Sequence, residues 1–219
     1  MKRSLVFSLI SLCFVLISLV SCTKDKAVSS EAGEIMTGNQ GVVYTLDTLN
    51  SRMEWIGYKV FKSQNTSHFG SIKFESGEVT IHEGKLESGK FVVDLNSLEN
   101  IDLKDDLEQK QKLESHLKSA DFFEVDKFPT ASYEITQVST ATEGDYNTIL
   151  DGNLTIKGIT KPVQFRANVT VHEDEVSIAS EPTDIKREDF GVKFQVPVQN
   201  GVIKNEVTVQ LLVKALEKA

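Results

Sequence analysis

Cysteine is scarce in this chain, and the patterns that mark common catalytic sites are missing from it. The 219 residues include only Cys13 and Cys22, too few for a disulfide framework. The four histidines are scattered, and no HExxH pair or other zinc spacing is present. GxSxG, Walker-type and GxGxxG patterns are also missing, and no local spacing of serines or carboxylates marks an acid–base pair. The sequence therefore predicts a protein that is not an enzyme and holds no metal and no resident cofactor.

The N-terminus has the features of an export signal. Two basic residues precede an uncharged apolar run over residues 5–20, which is short for a transmembrane helix. The run ends in Leu-Val-Ser followed by Cys22, and this ending resembles the lipobox of bacterial lipoproteins, whose cysteine is acylated. We therefore predict that residues 1–21 are removed and that Cys22 carries a lipid anchor. Residues 22–40 are polar and rich in small residues, so we expect a flexible tether.

The mature chain is acidic, with 22 basic against 32 acidic residues and a net charge of −10. This charge argues against nucleic acid as a partner and against broad adhesion to anionic lipid headgroups. We therefore expect membrane contact through the acyl chains of Cys22. Thr23 stands where some bacteria use Asp to retain lipoproteins at the inner membrane. The predicted location is the cell envelope, at the periplasmic or surface face of the outer membrane.

Short segments that alternate apolar and polar residues recur along the rest of the chain. Alternation is typical of half-buried strands in an antiparallel sheet. About eight strands and no βαβ rhythm predict one all-β domain, and a closed barrel is favoured over a sandwich because closure removes exposed edges. The segments are residues 52–58, 71–74, 78–81, 90–95, 133–138, 148–156, 163–171 and 207–213.

One segment differs, and two Gly-containing pairs need interpretation. Residues 103–118 are rich in helix formers, which predicts one short helix of one or two turns, with an ion pair between Glu108 and Lys112. Asn200-Gly201 predicts a two-residue hairpin. Asp151-Gly152 is also a turn signal, but the alternation continues through it. A continuous strand, with Gly152 leaving room in the sheet, is therefore favoured.

Aromatic residues are concentrated on one phase of the predicted strands. In a small barrel, inward-facing residues either fill the interior or line a space for one ligand. Composition alone favours a filled interior. The residues that share this phase are Trp55, the only tryptophan, and Phe74, Phe91, Phe165 and Phe194.

Three segments resemble signatures of the YceI-like family of exported lipid-binding proteins: HLKSADFFEVDKFPTASYEI, LDGNLTIKGITKPVQF and IKREDFGV. Ser51, Trp55 and Gly70 resemble the opening of that family's domain. The resemblance implies a YceI-like domain over residues 41–219, folded as an eight-stranded antiparallel lipocalin-like barrel with one short helix. It also implies that the lumen holds the tail of a polyisoprenoid or an isoprenoid quinone.

The resemblance further implies which residues contact the ligand. His116 and Arg187 are candidates for contact with a polar head group, and a salt bridge from Arg187 to a neighbouring carboxylate remains its alternative role. The segment DFFEVDKFP is expected to follow the helix and re-enter the sheet. Which of its paired phenylalanines faces the lumen stays open, because neighbours in a strand point to opposite sides. The lumen candidates are Trp55, Phe69, Ile72, Phe74, Phe91, Phe122, Phe123, Leu154, Phe165, Phe190 and Phe194.

The sequence therefore predicts non-catalytic binding and carriage of a long isoprenoid lipid by a membrane-anchored barrel. The alternative is a barrel with a filled interior that acts as an interaction module in the stressed envelope. An enzyme acting on an isoprenoid substrate is a third class, disfavoured by the missing nucleophile and metal patterns. The oligomeric state is left open, a dimer included.

Overall fold

The structure is a computed structural model of the chain, and it describes residues 32–35, 40–62, 64–196 and 201–218. The predicted signal peptide and lipid anchor lie outside the described residues, and so does Asn200 of the predicted hairpin. The strands and the helix all fall between residues 42 and 217.

Eleven strands and one α-helix make up the described chain. The helix α1 spans Leu107–Lys118, and 3-10 helices span Leu95–Ser97 and Arg187–Phe190. The strands are β1 (Val42–Leu46), β2 (Arg52–Phe61), β3 (Gln64–His82), β4 (Lys85–Asp94), β5 (Glu99–Asn100), β6 (Thr130–Thr140), β7 (Thr148–Ile156), β8 (Ile159–Val171), β9 (Glu175–Ser180), β10 (Thr183–Lys186) and β11 (Gly201–Glu217).

Eight of these strands close into a ring in the order β2-β3-β4-β6-β7-β8-β9-β11. Strand β11 closes it by pairing with both β2 and β9, and every pairing around the ring is antiparallel. This confirms the predicted eight-stranded antiparallel barrel with one helix. Because the ring closes between residues 52 and 217, residues 32–219 contain every strand of the ring.

Strand β3 is longer than the alternation indicated. It runs for 19 residues and joins two segments that were predicted separately. The reason is a register shift between Phe74 and Ser76 against β4, which interrupts the alternation without ending the strand. By contrast, β7 is continuous through Gly152 as predicted.

The helix is also longer than expected, at 12 residues, or about three turns. The carboxylate of Asp106 caps its first turn by accepting a hydrogen bond from the Gln109 N–H at 3.1 Å. The predicted pair of Glu108 and Lys112 is present at 2.6 Å. No residue of α1 is fully buried, so the helix lies on the barrel surface rather than inside it.

The two ends of the barrel differ. The helix end carries the β2–β3 and β7–β8 turns and the β4–β6 connection with α1; the closed end carries the β3–β4, β6–β7 and β8–β9 turns. The closed end is packed with apolar side chains that are completely buried. They include Val79, Ile135, Leu150, Ala167, Val176 and Ala215.

Part of the predicted tether contacts the barrel. The Gly33 N–H donates to Oδ1 of Asn153 at 2.9 Å, and Nδ2 of Asn153 donates to the Gly33 carbonyl at 2.8 Å. The side-chain amide of Asn153 therefore makes the same two hydrogen bonds to the Gly33 backbone that a neighbouring strand would make. The described part of the predicted tether, residues 32–35, is therefore held against β7 at Gly33.

Candidate functional site

A cavity of about 310 Å³ opens at the helix end of the barrel. Its wall is almost entirely apolar, with side chains from the barrel strands, from α1 and from the segment after β10. Its volume is at the lower end of the roughly 300–1,000 Å³ usual for small-molecule sites. The barrel is therefore filled at the closed end and open at the helix end.

Ten of the eleven residues predicted for the lumen line this cavity. The inward positions of the six that lie in strands follow from the period of two along each strand, which brings alternate residues of neighbouring strands to one surface. The ten residues are Trp55, Ile72, Phe74, Phe91, Phe122, Phe123, Leu154, Phe165, Phe190 and Phe194.

Phe69 is the exception, and its prediction as a lumen residue is wrong. His68, Ile72 and Phe74 of β3 line the cavity, so residues of even number face inward in this part of the strand. Phe69 has the opposite phase and is 44% exposed. Aromatic character alone does not place a side chain inside a barrel.

Phe122 and Phe123 both face the cavity, because they do not lie in a strand. They follow the C-terminus of α1 in a turn, where the Phe122 N–H donates to the Ser119 carbonyl and the Phe123 N–H to the Leu117 carbonyl, each at 3.1 Å. The alternation rule for strand neighbours does not apply to a turn. The segment DFFEVDKFP therefore covers the helix end of the lumen with both rings.

His116 joins an aromatic cluster at the cavity wall. Its ring meets Phe122 edge-on at a centroid distance of 5.0 Å and Phe194 edge-on at 4.7 Å. Its Nε2 lies 3.0 Å from a carboxylate oxygen of Asp121. The cluster ties α1 to the segment after the second 3-10 helix, across the opening of the barrel.

Arg187 lines the cavity, but its guanidinium is engaged with the backbone. Its side chain is 6% exposed. Its nitrogens donate to the carbonyls of Lys204 at 3.0 Å, Val192 at 2.5 Å and Ile203 at 3.3 Å. Burial lowers the pKa of the guanidinium below its ordinary value, and Glu188, at 3.7 Å, partly offsets this. Arg187 therefore has a structural role, because its hydrogen bonds join the second 3-10 helix to β11.

Replacing Arg187 with methionine should lower the free energy of unfolding by about 2–3 kcal/mol, because buried carbonyls lose charged hydrogen-bond donors. The free energy of unfolding of Arg187→Lys should lie between the values of the wild type and the methionine variant, because one ammonium cannot reach three carbonyls as a planar guanidinium does. Urea denaturation measures both. A methionine variant as stable as the wild type would contradict this role.

The sequence did not reveal a second polar group, formed by His68 and Asp102. Nδ1 of His68 lies 2.8 Å from a carboxylate oxygen of Asp102, and His68 lines the cavity. The Phe69 N–H donates to the other carboxylate oxygen at 2.8 Å. With Nδ1 engaged, Nε2 is the ring nitrogen left to meet a ligand. The two residues are 34 positions apart, so no local spacing announces them.

Asn100 holds the loop that carries Asp102, and it is completely buried. Its N–H donates to Glu114 of α1 at 2.7 Å, and its side-chain amide donates to the Phe69 carbonyl at 3.1 Å. The Leu103 N–H donates back to its side-chain oxygen at 2.9 Å. The backbone N–H and the side-chain amide of one buried asparagine therefore link α1, the loop and β3 at the cavity opening.

The Asp102 carboxylate makes the stability of the cavity opening, which we call the mouth, sensitive to acid. Burial acts to raise its pKa, but hydrogen bonds from the Phe69 N–H, His68 and Asn100 outweigh burial and hold the pKa below its ordinary value. A carboxylate whose pKa is lower in the folded than in the unfolded protein stabilises the fold at pH values above the unfolded-state pKa of about 3.9. This stabilisation is lost as the pH falls through the folded-state pKa.

Asp102→Asn should therefore lower the free energy of unfolding at neutral pH by about 1–2 kcal/mol. The difference from the wild type should shrink at about pH 3, where protonation weakens the wild-type contacts as well. Urea denaturation at the two pH values measures both effects. A difference that is independent of pH would contradict the assignment.

Within the described ranges, no group of three or more His, Cys, Asp or Glu side chains is placed to hold a metal ion. Among the same residues, no helix is long and apolar enough to cross a membrane. Trp55 is buried in the cavity wall, and its indole N–H has no hydrogen-bond partner in this part of the chain. As the single tryptophan it reports directly on the cavity.

Comparison with known proteins identifies the domain. Residues 44–215 match the family model of the YceI-like domain. Protein YceI of Salmonella arizonae is 31% identical over 176 residues, which cover 80% of this chain and 76% of that protein. A UPF0312 protein of Pseudomonas aeruginosa is 28% identical over 173 residues, covering 76% of this chain and 80% of that protein.

Two solved structures share the fold. BcnA of Burkholderia cenocepacia superposes with a TM-score of 0.59 at 20% identity, covering 78% of this chain and 99% of BcnA. A polyisoprenoid binding domain from Saccharophagus degradans, implicated in plant cell wall breakdown, superposes with a TM-score of 0.54 at 14% identity, covering 81% of this chain and 99% of that domain. The resemblance drawn from the three signature segments is confirmed, and the chain belongs to the YceI-like family.

Proposed function

We propose that this protein binds a long isoprenoid lipid or isoprenoid quinone, with the apolar tail in the cavity at the helix end of the barrel. The observation that carries the proposal is the open, almost entirely apolar cavity, which the packed closed end leaves unfilled. The fold shared with a polyisoprenoid binding domain supports it. The proposed role is binding and carriage without catalysis.

Burial of the tail supplies the driving force. Each CH₂ group removed from water contributes about 0.8 kcal/mol, so a tail of a few isoprene units gains more than binding requires. The cost of ordering a flexible tail offsets much of this gain. Rings on opposite walls, such as Phe74 and Phe165, give a preformed surface that reduces the ordering cost on the protein side.

The head group is proposed to lie at the mouth beside His68. Asp102 holds Nδ1 of His68, which leaves Nε2 to donate to, or accept from, a carbonyl or hydroxyl of the ligand. His116 stands at the same opening, with one nitrogen on Asp121. Arg187 contributes through the backbone carbonyls that it orders, because its guanidinium nitrogens are already engaged.

The proposal includes attachment to the membrane. Residues 1–21 act as the export signal, and Cys22 carries acyl chains that hold the barrel at the outer membrane. A labelled fatty acid supplied to the producing bacterium should be incorporated into the wild type and not into Cys22→Ser. Equal labelling of both would overturn the anchor, without bearing on the cavity.

The deciding experiment is mass spectrometry of an organic extract from residues 32–219, produced with a cleavable export signal. We expect an isoprenoid lipid or quinone in near-stoichiometric amount. Added quinone should also quench the fluorescence of Trp55 in protein stripped of lipid, because Trp55 lies in the cavity wall. An empty extract together with no quenching by quinones or polyprenyl phosphates would overturn the proposal and favour the interaction module.

A further inference from the structure

Several stretches of this acidic chain contain no acidic residue, and two of them are neighbours in the fold. Residues 55–74 and 190–205 lack Asp and Glu altogether, although the chain has 32 of them. The two stretches meet in the structure, where the end of β2 pairs with the beginning of β11. Gly201 lies opposite Phe61, and Val202 lies opposite Val60. The acid-free segments therefore form one continuous surface, which we call the tip: residues 58–62 and 201–204.

The tip combines exposed apolar and basic side chains. Phe61 is 36% exposed and Val202 is 51% exposed. Lys62 and Lys204 are exposed beside them. The Lys62 ammonium lies 5.3 Å from the centre of the Phe61 ring, and that of Lys204 lies 5.5 Å from the centre of the Tyr58 ring. Aromatic rings with adjacent lysines suit the boundary between headgroups and acyl chains.

The tip is continuous with the cavity opening. Lys59 and Ile203, which are paired across β2 and β11, both line the cavity. From Gly57, which also lines it, β2 continues for four more residues to Phe61, a distance of about 13 Å. A surface or partner that binds the tip therefore also lies next to the mouth of the cavity.

We propose that the tip docks onto the surface of a lipid bilayer that contains anionic headgroups, so that the mouth of the cavity faces the membrane. The lysines meet the headgroups, and Phe61 and Val202 enter the boundary beneath them. A tail can then pass between the bilayer and the cavity without crossing water. The expectation that net charge excludes anionic lipid holds for the chain as a whole and not for this end of it.

The distribution of charge favours this orientation. The turns of the closed end carry acidic residues, which an anionic bilayer repels while it attracts the tip. At the helix end, the acidic residues of the β4–β6 connection are interspersed with lysines, and Glu206, next to the tip, lies opposite Lys186 in the β10–β11 pair. The acidic residues of the closed-end turns are Glu83, Glu143, Asp145, Glu173 and Asp174.

The test is co-sedimentation of residues 32–219, which lack Cys22 and the apolar run, with lipid vesicles. We expect binding to vesicles of phosphatidylethanolamine with phosphatidylglycerol, much weaker binding to pure phosphatidylcholine, and loss of binding in high salt. Equal binding to both kinds of vesicle, or no binding to either, would overturn the proposal.

Charge reversal at the tip locates the contact. Each lysine near an anionic surface contributes roughly fivefold to binding, so Lys62→Glu with Lys204→Glu should weaken binding by more than about tenfold. Phe61→Ser should also weaken it. The matched controls are Lys85→Glu, next to the β3–β4 turn of the closed end, and Leu49→Ser in the β1–β2 loop, where Leu49 is 94% exposed; neither should reduce binding.

Two further outcomes would overturn the assignment. A control variant that weakens binding as much as the tip variants would place the contact elsewhere. If sedimentation velocity shows a dimer that the tip variants convert to monomer, the tip is an interface between copies of the chain. The proposal does not depend on the cargo of the cavity, because lipid extraction from the same variants measures occupancy separately.

Discussion

Replacing Gly152 with alanine should lower the free energy of unfolding by about 3 kcal/mol, the upper part of the range for overpacking a core. A Cβ at Gly152 would lie 2.3 Å from Cζ of Tyr133 and 2.6 Å from its hydroxyl oxygen. The ring cannot move aside easily. It is 3% exposed, its hydroxyl donates to the Leu150 carbonyl at 2.9 Å, and it forms a T-shaped pair with Phe165 at a centroid distance of 5.1 Å.

Urea denaturation followed by Trp55 fluorescence measures this loss, and Gly57→Ala is the matched control. A Cβ at Gly57 meets no atom closer than 4.0 Å, so this variant should stay within about 1 kcal/mol of the wild type. In a double-mutant cycle, Tyr133→Leu should absorb much of the cost of Gly152→Ala. Equal losses at Gly152 and Gly57, or additive losses in the cycle, would contradict the steric explanation.

Gly152 also shows what sequence reasoning reaches. The alternation of residues 148–156 indicates both the strand and the need for a small residue within it, and the structure has both. The sequence does not say which ring requires the space, because Tyr133 lies on another strand. Where the alternation of apolar and polar residues is interrupted, it predicts a strand end that the structure does not have. The register shift near Phe74 divides one long strand into two apparent ones.

The sequence predicted those site residues that face inward by their position in a strand. It did not predict contacts between residues that are far apart in the chain. Inward phase places Trp55, Phe91 and Phe165 in the wall, as expected from their strands. The pair of His68 and Asp102 is formed by a loop folding back onto β3, so nothing in the local sequence marks it. Whether the lumen is open depends on the balance of side-chain volumes between strands. Only the assembled barrel shows that balance, filled at one end and open at the other.

Replacing Gly57 with phenylalanine should remove the bound lipid while leaving the barrel folded. Gly57 lines the cavity, and the space above it is open, so a benzyl group can enter the cavity without disturbing β2. A ring is large compared with a cavity of about 310 Å³ and would occupy the path of the tail. Extraction and mass spectrometry should show at least a tenfold lower ratio of lipid to protein, a loss of about 1.4 kcal/mol or more in binding.

The control is Ile56→Phe, which adds the same ring on the same strand at the neighbouring position, with the opposite phase. It should retain its lipid. The urea midpoint of Gly57→Phe should not fall, because an aromatic residue suits a strand and its ring becomes buried. This separates loss of ligand from loss of fold. If Gly57→Phe retains as much lipid as Ile56→Phe, the tail does not occupy this cavity, and the proposed function fails at its central step.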